Sequence, residues 1–318
     1  MDEFKLIERF FAPLGGARKD VTQGIGDDGA IVSSPSRELV LAVDTLVEGC
    51  HFPAHAPPRE LGFRVAAVNL SDLAAMAATP CFATLALTLP SADELWLTEF
   101  SSGLGEGLAR HNCALVGGDT TRGPLTISLQ LIGALQGAPL LRSGACAGDH
   151  VLVSGTLGDA RAALDLLSDG GQSTDHETYL LARYWRPTPR VELAHAVSQL
   201  AHAAIDISDG LLADLGHIAA ASGVAIQIDQ ELLPISPALV EHCPRAQALA
   251  YAVTGGDDYE LALCVAPAQL SAVLHAARQC GDALTVIGQV VGGQGVTCRD
   301  ADGLPVKNPD VSGYRHFR

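Results

Sequence analysis

Apolar residues recur along the chain with two alternating periods, which predict helices and strands in succession. Within residues 3–14 they follow the helical spacing of three and four. A β-branched and leucine-rich run at 38–49 predicts a strand, and the helical period returns at 59–78. The next segments predict a strand at 82–90, a helix at 92–111, a strand, turn and loop at 113–123, and a strand at 124–135.

The second half repeats this alternation after a segment rich in glycine and other small residues at 137–155. Its pattern predicts a strand at 150–154, a helix at 158–168, helices across 177–202, a strand, turn and helix at 203–223, a strand at 224–229, a helix near 267–280 and a strand at 284–291. The polar stretch 167–178 predicts a mobile loop. We therefore expect an α/β (α+β) protein of two α/β domains, at 1–140 and 141–318.

Aspartates recur where apolar segments meet turns rich in glycine or serine. They are Asp27, Asp28, Asp44, Asp72, Asp119, Asp206, Asp209, Asp257 and Asp258. Turn chemistry explains any single one of them, because Asp-Gly is a common turn dipeptide. Their recurrence in six such segments indicates a shared role for the carboxylates.

Asp72 falls on the apolar face of the helix predicted at 59–78. That face consists of Leu61, Val65, Val68, Ala75 and Met76, with Asn69 one turn before the aspartate. A carboxylate on a packed face costs several kcal/mol unless it is paired or bound to a metal. A cap or a salt bridge is one explanation. A divalent cation is the better partner, since only Arg59 and Arg64 lie on the preceding turns.

Oxygen ligands alone favour a hard cation, Mg²⁺ before Ca²⁺ or Mn²⁺. Mg²⁺ held by several carboxylates commonly accompanies bound phosphates. The only lysines are Lys5, Lys19 and Lys307, so metal ions must neutralise most of the charge of a polyphosphate substrate. Neither a P-loop nor a protein-kinase signature occurs in the sequence. If this protein uses ATP, its fold therefore differs from that of P-loop proteins and from that of protein kinases.

The segment 24–29, GIGDDG, matches the dinucleotide-binding pattern G-x-G-x-x-G. That pattern requires a helix directly after it. Here a strand-like run at 30–44 follows, and Asp27 and Asp28 would face the phosphates. We interpret the segment as a turn that offers carboxylates to a metal ion.

Composition narrows the class of protein further. The chain has 318 residues and is 48% apolar, which supports a sizeable core. Its net charge of −16 argues against a nucleic-acid partner, because nucleic-acid binders carry a basic surface. The eight cysteines form no C-x-x-C pair, and neither a signal peptide nor an apolar run of membrane-spanning length occurs. We expect a cytoplasmic protein without a membrane partner.

Eleven segments together resemble the thiamine-monophosphate kinase family, of the superfamily that includes aminoimidazole ribonucleotide synthetase and selenophosphate synthetase. In chain order they are GIGDDGA, VDTLVEGCHF, AVNLSDLAAMAATP, LVGGDTTRGPL, RSGACAGD, VSGTLGDA, RPTPR, AIDISDGLLADLGHIA, GGDDYEL, IGQV and GYRHF. The resemblance covers nearly the whole chain, and the pairing of NLSDLAAM with GGDTTRG is its most specific part.

The resemblance implies an N-terminal α/β domain whose mixed sheet pairs with a second subunit, a C-terminal α/β domain, and an active site in the cleft between them. It implies a homodimer that transfers the γ-phosphoryl group of ATP, with several Mg²⁺ ions, to thiamine phosphate. The product is thiamine diphosphate. It also implies direct transfer without an acid or base from the protein.

The same resemblance assigns residues to roles. The metal ligands are Asp27, Asp28, Asp44, Asp72, Asp119, Asp206 and Asp209, of which Asp28, Asp72, Asp119 and Asp209 stabilise charge in the transfer. ATP is contacted by Gly118, Asp119, Arg142 and Ser208, and thiamine phosphate by His51, Asp257 and Tyr314. The chain departs from the family where Ala42 and Val43 replace a usual serine or threonine, and where Asp257 replaces a common glutamate.

Two other functions stay open at this point. One is a related ATP-dependent synthetase, of the aminoimidazole ribonucleotide or selenophosphate type. Against the selenophosphate type, Cys50 is not placed in a glycine-rich N-terminal segment. The other is a Mg²⁺- or nucleotide-binding module without catalytic activity, against which the intact set of aspartates argues.

Overall fold

The computed structural model describes residues 3–26, 29–34, 36–169 and 174–306. The chain divides into an N-terminal unit, residues 1–73 and 78–137, and a C-terminal unit, residues 74–77 and 138–318. Within the described ranges, no helix combines the length and the apolar composition that a bilayer span requires. Both units are built of helices and sheets, which confirms the predicted α/β class.

The N-terminal unit begins with α1 (Glu3–Leu6), a π-helical turn (Ile7–Phe11) and a 3₁₀ turn (Ala12–Gly15). Its other elements are β1 (Val21–Gln23), β2 (Ile31–Val32), β3 (Leu39–Val47), α2 (Pro58–Ala75), β4 (Thr79–Leu89), α3 (Glu94–Ala109), β5 (Ala114–Arg122) and β6 (Thr126–Ala134). The segment predicted as one helix at 3–14 is helical from Glu3 to Gly15, but its geometry changes from α to π to 3₁₀. Pro13, in the first turn of the 3₁₀ segment, has no N–H to continue an α-helix.

A four-stranded sheet in the order β3-β6-β4-β5 forms the body of this unit. Only the β4–β5 pair is parallel. Helices α2 and α3 pack at backbone contact distance, since a Cβ on Gly62 would lie 2.1 Å from the carbonyl oxygen of Phe100 and one on Gly103 would lie 1.8 Å from that of Arg59. One face of β6 is fully buried, at Ile127, Leu129 and Leu131.

The C-terminal unit contains thirteen named elements in the described ranges. They are β7 (His150–Ser154), α4 (Asp159–Asp169), α5 (Asp175–Trp185), α6 (Val191–Val197), β8 (Ala201–Asp206), α7 (Leu211–Ser222), β9 (Ala225–Asp229), α8 (Pro237–His242), α9 (Arg245–Thr254), β10 (Leu261–Val265), α10 (Leu270–Gln279), β11 (Leu284–Val291) and β12 (Gly295–Arg299). Short 3₁₀ turns occur at Gln230–Leu232 and Pro267–Gln269.

Its six strands form one sheet in the order β12-β9-β11-β7-β10-β8, antiparallel except for the β12–β9 pair. Alternate residues of the central strands enter two separate apolar clusters. Val151 and Val153 pack with Leu215 of α7, whereas Leu152 packs with Leu193 of α6. Both faces of the sheet are thus covered, which explains why its strands read as continuous apolar runs.

Three predicted boundaries were wrong in physically informative ways. The helical region predicted to reach 202 ends at Val197, and strand β8 begins at Ala201. The loop predicted at 167–178 overlaps α4 and α5, because Thr174 and Glu177 form a capping box that starts α5; residues 170–173 lie outside the described ranges. The turn and loop predicted within 113–123 are part of strand β5, which continues to Arg122.

Candidate functional site

A cavity of about 400 Å³ lies in the N-terminal unit. Its lining joins two separate glycine-rich segments, Gly24, Gly26 and Gly29 from the GIGDDG turn and Gly117 and Gly118 from β5. A volume of this size falls within the usual range of small-molecule sites. Strand β2 follows the turn where a dinucleotide-binding motif would have a helix, so the rejection of that motif is confirmed. Asp27 and Asp28 lie outside the described residues.

Asp119 lines this cavity from within strand β5, and its side chain is exposed. Its Oδ1 accepts a hydrogen bond from the N–H of Thr120 at 3.0 Å. The strand continues through both glycines because the β4–β5 register shifts between Ala83 and Thr84, which absorbs the irregularity. Gly118 has φ 151°, and a Cβ there would lie 1.9 Å from the carbonyl oxygen of Leu85. Only glycine fits at position 118.

Asp44 and Asp72 lie on neighbouring elements of the N-terminal unit that one amide side chain connects. The backbone N–H of Asp44, on β3, donates to Oδ1 of Asn69 at 2.9 Å. The Nδ2 of the buried Asn69 in turn donates to the carbonyl of Val65 at 2.9 Å, within α2. Asp72 follows Asn69 by three residues, which places it close to one turn further along the helix, and it is partly buried. Asn69 thus holds strand and helix in register beside both carboxylates.

His51 is fixed by the last residue of β3. The Nδ1 atom of its ring accepts a hydrogen bond from the backbone N–H of Val47 at 3.0 Å. The backbone N–H of His51 donates to the carbonyl of Val47 at 2.9 Å. A neutral imidazole in this arrangement carries its proton on Nε2. In that tautomer, Nε2 is the hydrogen-bond donor of the ring.

In the C-terminal unit, Asp206 is the last residue of β8, and Ser208 and Asp209 lie in the turn that follows it. Asp206 is buried at the end of the strand, whereas Ser208 and Asp209 are partly buried. The Oδ2 atom of Asp214, on the first turn of α7, accepts hydrogen bonds from the N–H groups of Ser208, Asp209 and Gly210 at 3.0, 3.1 and 3.1 Å. One carboxylate therefore fixes the whole turn.

Burial, together with the negative charges of Asp206 and Asp209, raises the pKa of Asp214 to about 7. The two candidate ligands therefore lie close to a third carboxyl group. The sequence reasoning missed Asp214, although the signal was available. Like Asp72, it is a carboxylate on an otherwise apolar helix face, among the buried Leu211, Leu212 and Leu215.

Residues 255–260 run alongside this turn. The N–H of Asp257 donates to the carbonyl of Ser208 at 2.9 Å, and the N–H of Tyr259 donates to that of Ile207 at 2.8 Å. Asp257 and Tyr259 both have left-handed backbone, with φ 70° and 52°. Such a conformation costs about 1–2 kcal/mol for most residues other than glycine, whereas aspartate adopts it more readily, so the strain falls mainly on Tyr259. Strain of this kind is concentrated at functional segments.

A buried ion-pair network anchors the other end of the same segment. Arg190 donates from Nε to Oε2 of Glu260 at 2.7 Å and from Nη2 to Oε1 at 2.6 Å. Arg183 donates to Oε1 at 2.8 Å, and the Ser154 hydroxyl donates to Oε2 at 2.5 Å. Burial alone raises the pKa of Glu260, but these arginines and the hydroxyl outweigh it and hold the pKa below its ordinary value. The pairing of Arg190 with Glu260 was not predicted from the sequence.

Arg142 and Tyr314 are the two remaining residues that were predicted to contact ligands. Arg142 is exposed in the segment between β6 and β7, and its carbonyl accepts a hydrogen bond from the hydroxyl of Ser222 at 3.2 Å. Tyr314 lies outside the described residues. The structure thus brings Asp44 next to the helix that carries Asp72, and Ser208 next to Asp257.

Two family models match the chain. Residues 26–135 match the N-terminal domain of AIR synthase related proteins, and residues 147–301 match the C-terminal domain of the same proteins. These matches span most of both units.

The chain is also similar to curated proteins over its full length. It is 45% identical over 319 residues to the thiamine-monophosphate kinase of Escherichia coli K12, covering 99% of this chain and 98% of the relative. It is 38% identical over 327 residues to that of Haemophilus influenzae, covering 100% and 98%.

The chain is also similar to solved structures. The thiamine-monophosphate kinase of Stenotrophomonas maltophilia K279a is 45% identical, with a TM-score of 0.88 over 96% of this chain and 98% of that one. AaThiL complexed with AMPPCP and TMP is 35% identical, with a TM-score of 0.79 over 93% of each chain. The hydrogenase maturation protein HypE in complex with ATP, at 17% identity and a TM-score of 0.76, shares the fold.

Proposed function

Since the chain belongs to the thiamine-monophosphate kinase family and is an ATP-dependent phosphotransferase, we propose that it transfers the γ-phosphoryl group of ATP to the phosphate of thiamine phosphate in a Mg²⁺-dependent reaction. The products are thiamine diphosphate and ADP. The observation that carries the Mg²⁺ requirement is the crowding of carboxylates around the turn after β8, where burial, together with the charges of Asp206 and Asp209, raises the pKa of Asp214.

The donor set fits Mg²⁺. The candidate ligands are all carboxylates, and oxygen donors are what Mg²⁺ prefers. The proposed ligands are Asp27, Asp28, Asp44, Asp72 and Asp119 in the N-terminal unit and Asp206 and Asp209 in the C-terminal unit. Mg²⁺ bound there would neutralise charge on the phosphates, which is its usual contribution to phosphoryl transfer.

ATP binding is assigned to Gly118, Asp119, Arg142 and Ser208. The cavity lined by Gly118 and Asp119 supports this assignment, because its glycines let a ligand approach the backbone closely. Arg142 is exposed and offers a planar guanidinium, which suits phosphate oxygens. AaThiL, to which the chain is similar, has been solved with AMPPCP and TMP.

Thiamine phosphate is assigned to His51, Asp257 and Tyr314. The Nε2–H donor of His51 suits a phosphate oxygen. The carboxylate of Asp257 suits the positive charge of the thiazolium ring, and the hydrogen bond from its N–H to the carbonyl of Ser208 fixes its backbone. Asp257 carries one methylene fewer than the glutamate common in the family.

The reaction itself requires positioning more than acid–base chemistry. A phosphate oxygen of thiamine phosphate is already anionic at neutral pH, so no residue needs to remove a proton from it. This oxygen forms a bond to the γ-phosphorus as the bond from that phosphorus to the β-phosphate oxygen breaks, and the electron pair leaves with ADP. The contribution of the protein is to hold two anions in line and to offset their repulsion.

The proposed homodimer pairs the N-terminal sheets. Strand β3 lies at the edge of its sheet, and its alternate residues Leu39, Leu41 and Val43 project from the exposed face. Leu41 and Val43 are 63% and 60% exposed. Adjacent exposed apolar side chains of this size mark an interaction surface more often than a solvated one, and a second copy of the chain is the partner that the family implies.

Incubation with γ-labelled ATP, Mg²⁺ and thiamine phosphate tests direct transfer. We expect the label in thiamine diphosphate and none on the protein after rapid quenching. Labelled protein that forms without thiamine phosphate and then passes its label to it would overturn the direct mechanism, while leaving the overall reaction in place.

A further inference from the structure

We propose that Cys146, Asp149 and His202 form a binding site for one Zn²⁺ ion in the C-terminal unit, separate from the residues assigned to the kinase reaction. Each of the three side chains offers a ligand atom, and these sulfur, oxygen and nitrogen atoms all lie within 4.8 Å of one another. Among the described residues, this is the group of three or more His, Cys, Asp or Glu side chains whose ligand atoms lie close enough together to share a metal ion.

Backbone hydrogen bonds hold two of the ligands in a tight turn before β7. The N–H of Cys146 donates to Oδ2 of Asp149 at 2.8 Å, and the N–H of Asp149 donates to the carbonyl of Cys146 at 3.0 Å. Gly148, with φ 101°, closes the turn, and its N–H donates to the carbonyl of Val290 at 2.8 Å. The spacing between Cys146 and Asp149 is therefore fixed by the fold.

The third ligand comes from strand β8, which β10 separates from β7 in the sheet. His202, on β8, has its Nδ1 at 2.9 and 3.1 Å from the two carboxylate oxygens of Asp149. The turn approaches β8 closely because Gly144 has no side chain, since a Cβ there would lie 2.6 Å from the carbonyl oxygen of His202. Turn and strand are thus in direct contact at the site.

The distances suit a tetrahedral cation. Zinc binds sulfur, nitrogen and oxygen at about 2.0–2.3 Å, which separates its ligand atoms by roughly 3.3–3.7 Å. The contact between His202 and Asp149 is slightly shorter than this, and the upper limit of 4.8 Å is about 1 Å longer. Cys146 and His202 are exposed, which leaves room for the side-chain rotations that the tetrahedral spacing requires.

The donor types select zinc over magnesium. A thiolate and an imidazole are ligands for Zn²⁺, whereas Mg²⁺ prefers oxygen. Coordination moves the thiol proton of Cys146 to solvent. A metal on Nδ1 of His202 takes the place of the hydrogen bond to Asp149 and leaves the imidazole proton on Nε2. With three protein ligands, the fourth position is filled by water.

The site lies at the opposite end of β8 from the proposed Mg²⁺ ligands. His202 is four residues before Asp206 on the same strand, which separates them by about 13 Å. Asp149 is 3% exposed, whereas the other two ligands are open to solvent, so the ion has a path of entry.

The test is metal binding by the untagged full chain, stripped with a chelator and kept in excess Mg²⁺ to occupy oxygen-ligand sites. Zn²⁺ is titrated against a chromophoric chelator, and Co²⁺ is used as a spectroscopic substitute. The variants are Cys146→Ser and His202→Gln. Cys280→Ser removes another exposed thiol from the same unit and serves as the matched control.

We expect one equivalent of Zn²⁺ to bind the wild type and Cys280→Ser equally, and each ligand variant to bind at least about tenfold more weakly. The Co²⁺ complex should show thiolate charge-transfer absorption that Cys146→Ser lacks. Equal zinc affinity in wild type and both variants would overturn the proposal. So would a wild-type Co²⁺ complex without thiolate absorption, a result that does not depend on how any variant folds.

Discussion

The backbone N–H of Asp257 donates a 2.9 Å hydrogen bond to the carbonyl oxygen of Ser208. The two residues are separated by nearly fifty positions in the sequence, and antiparallel strands β8 and β10 bring them together through the Asp206–Leu261 pair. The proposed contacts to thiamine phosphate and to ATP in the C-terminal unit therefore rest on one pair of hydrogen-bonded segments. A change in the conformation of either segment is expected to affect the other.

Asp257→Asn tests the role of this carboxylate without disturbing its backbone. Asparagine tolerates the left-handed conformation as aspartate does, so the melting temperature should stay unchanged. Loss of the negative charge should raise KM for thiamine phosphate several-fold and leave KM for ATP as it is. Steady-state kinetics with each substrate varied in turn provides the measurement. An unchanged KM for thiamine phosphate would remove Asp257 from the substrate site.

Gly118→Ala tests the cavity. The new methyl group would overlap the Leu85 carbonyl at a backbone conformation that alanine rarely adopts, so β5 must shift, at a cost of about 1–3 kcal/mol. We expect a lower melting temperature and weaker ATP binding by calorimetry. Gly117→Ala is the matched control, since its Cβ would meet only Thr84 Cγ2 at 3.6 Å. Identical behaviour of the two variants would contradict this explanation.

Asp119→Asn and Asp72→Asn should each nearly abolish turnover while the fold survives. Two opposite charges about 4 Å apart attract by roughly 4 kcal/mol at an effective dielectric constant of 20, which corresponds to about a 10³-fold change in rate. ADP release under saturating substrates measures the loss. Glu38→Gln removes an exposed carboxylate from the same unit and should leave the rate intact. Near-normal turnover in either aspartate variant would be incompatible with their role as metal ligands.

Leu41→Glu should convert the proposed dimer into a monomer, because an interface cannot bury a carboxylate without a cost of several kcal/mol. Sedimentation velocity over a range of protein concentrations measures the change. Leu304→Glu alters a leucine of nearly equal exposure, 61%, in the C-terminal unit and should not change the sedimentation coefficient. A monomeric wild type, or a dimer that persists in Leu41→Glu, would show that β3 is not the interface.

Glu260→Gln tests the buried ion-pair network through the pH dependence of stability. The pKa of Glu260 is lowered by folding, so its contribution to stability is fully present above the unfolded pKa of about 4.3 and is lost as the pH falls through the folded pKa. Leaving Arg190 and Arg183 without this partner costs about 3–5 kcal/mol at pH 7.

Melting temperatures of Glu260→Gln and wild type should therefore differ most at neutral pH and converge as the pH falls through the lowered pKa of Glu260. Asp302→Asn, which changes an exposed carboxylate in the same unit, should follow the wild-type curve. Parallel curves for Glu260→Gln and wild type over the whole pH range would exclude a stabilising charge on Glu260.

Periodicity was enough to predict most of the secondary structure. The alternating and continuous apolar runs at β3, β6 and β7 depend on burial of a single face or of both faces, which the sequence displays directly. Helix α2 was predicted with one apolar face, but its residues 61–71 are buried on every side. The predicted ends of helices and strands were wrong where individual residues, such as glycines or a helix cap, indicate a different structure from the apolar periodicity. The two glycines of β5 indicate a turn when taken alone, and only the shifted pairing with β4 shows that they belong to a strand.

For the candidate site, too, the sequence indicates what depends on local pattern and not what depends on pairing between distant segments. Carboxylates beside apolar segments could be found by inspection, and Asp44, Asp72 and Asp206 lie on or at the ends of regular elements. Asp214 was missed although its place on an apolar helix face is visible in the sequence. The Glu260–Arg190 pair was missed because its two members are distant in the sequence and meet only in the fold. Arg190 and Glu260 are seventy residues apart, and nothing in either local segment specifies the other.

ADP release, followed in a coupled assay over a range of Mg²⁺ concentrations, tests the proposed reaction with thiamine phosphate, thiamine or an aminoimidazole precursor as the acceptor. We expect ADP to form only with thiamine phosphate, only when Mg²⁺ is present, and in equal amount to thiamine diphosphate. ADP formation that ignores thiamine phosphate, or that continues undiminished after all divalent cations are chelated, would contradict the proposed function.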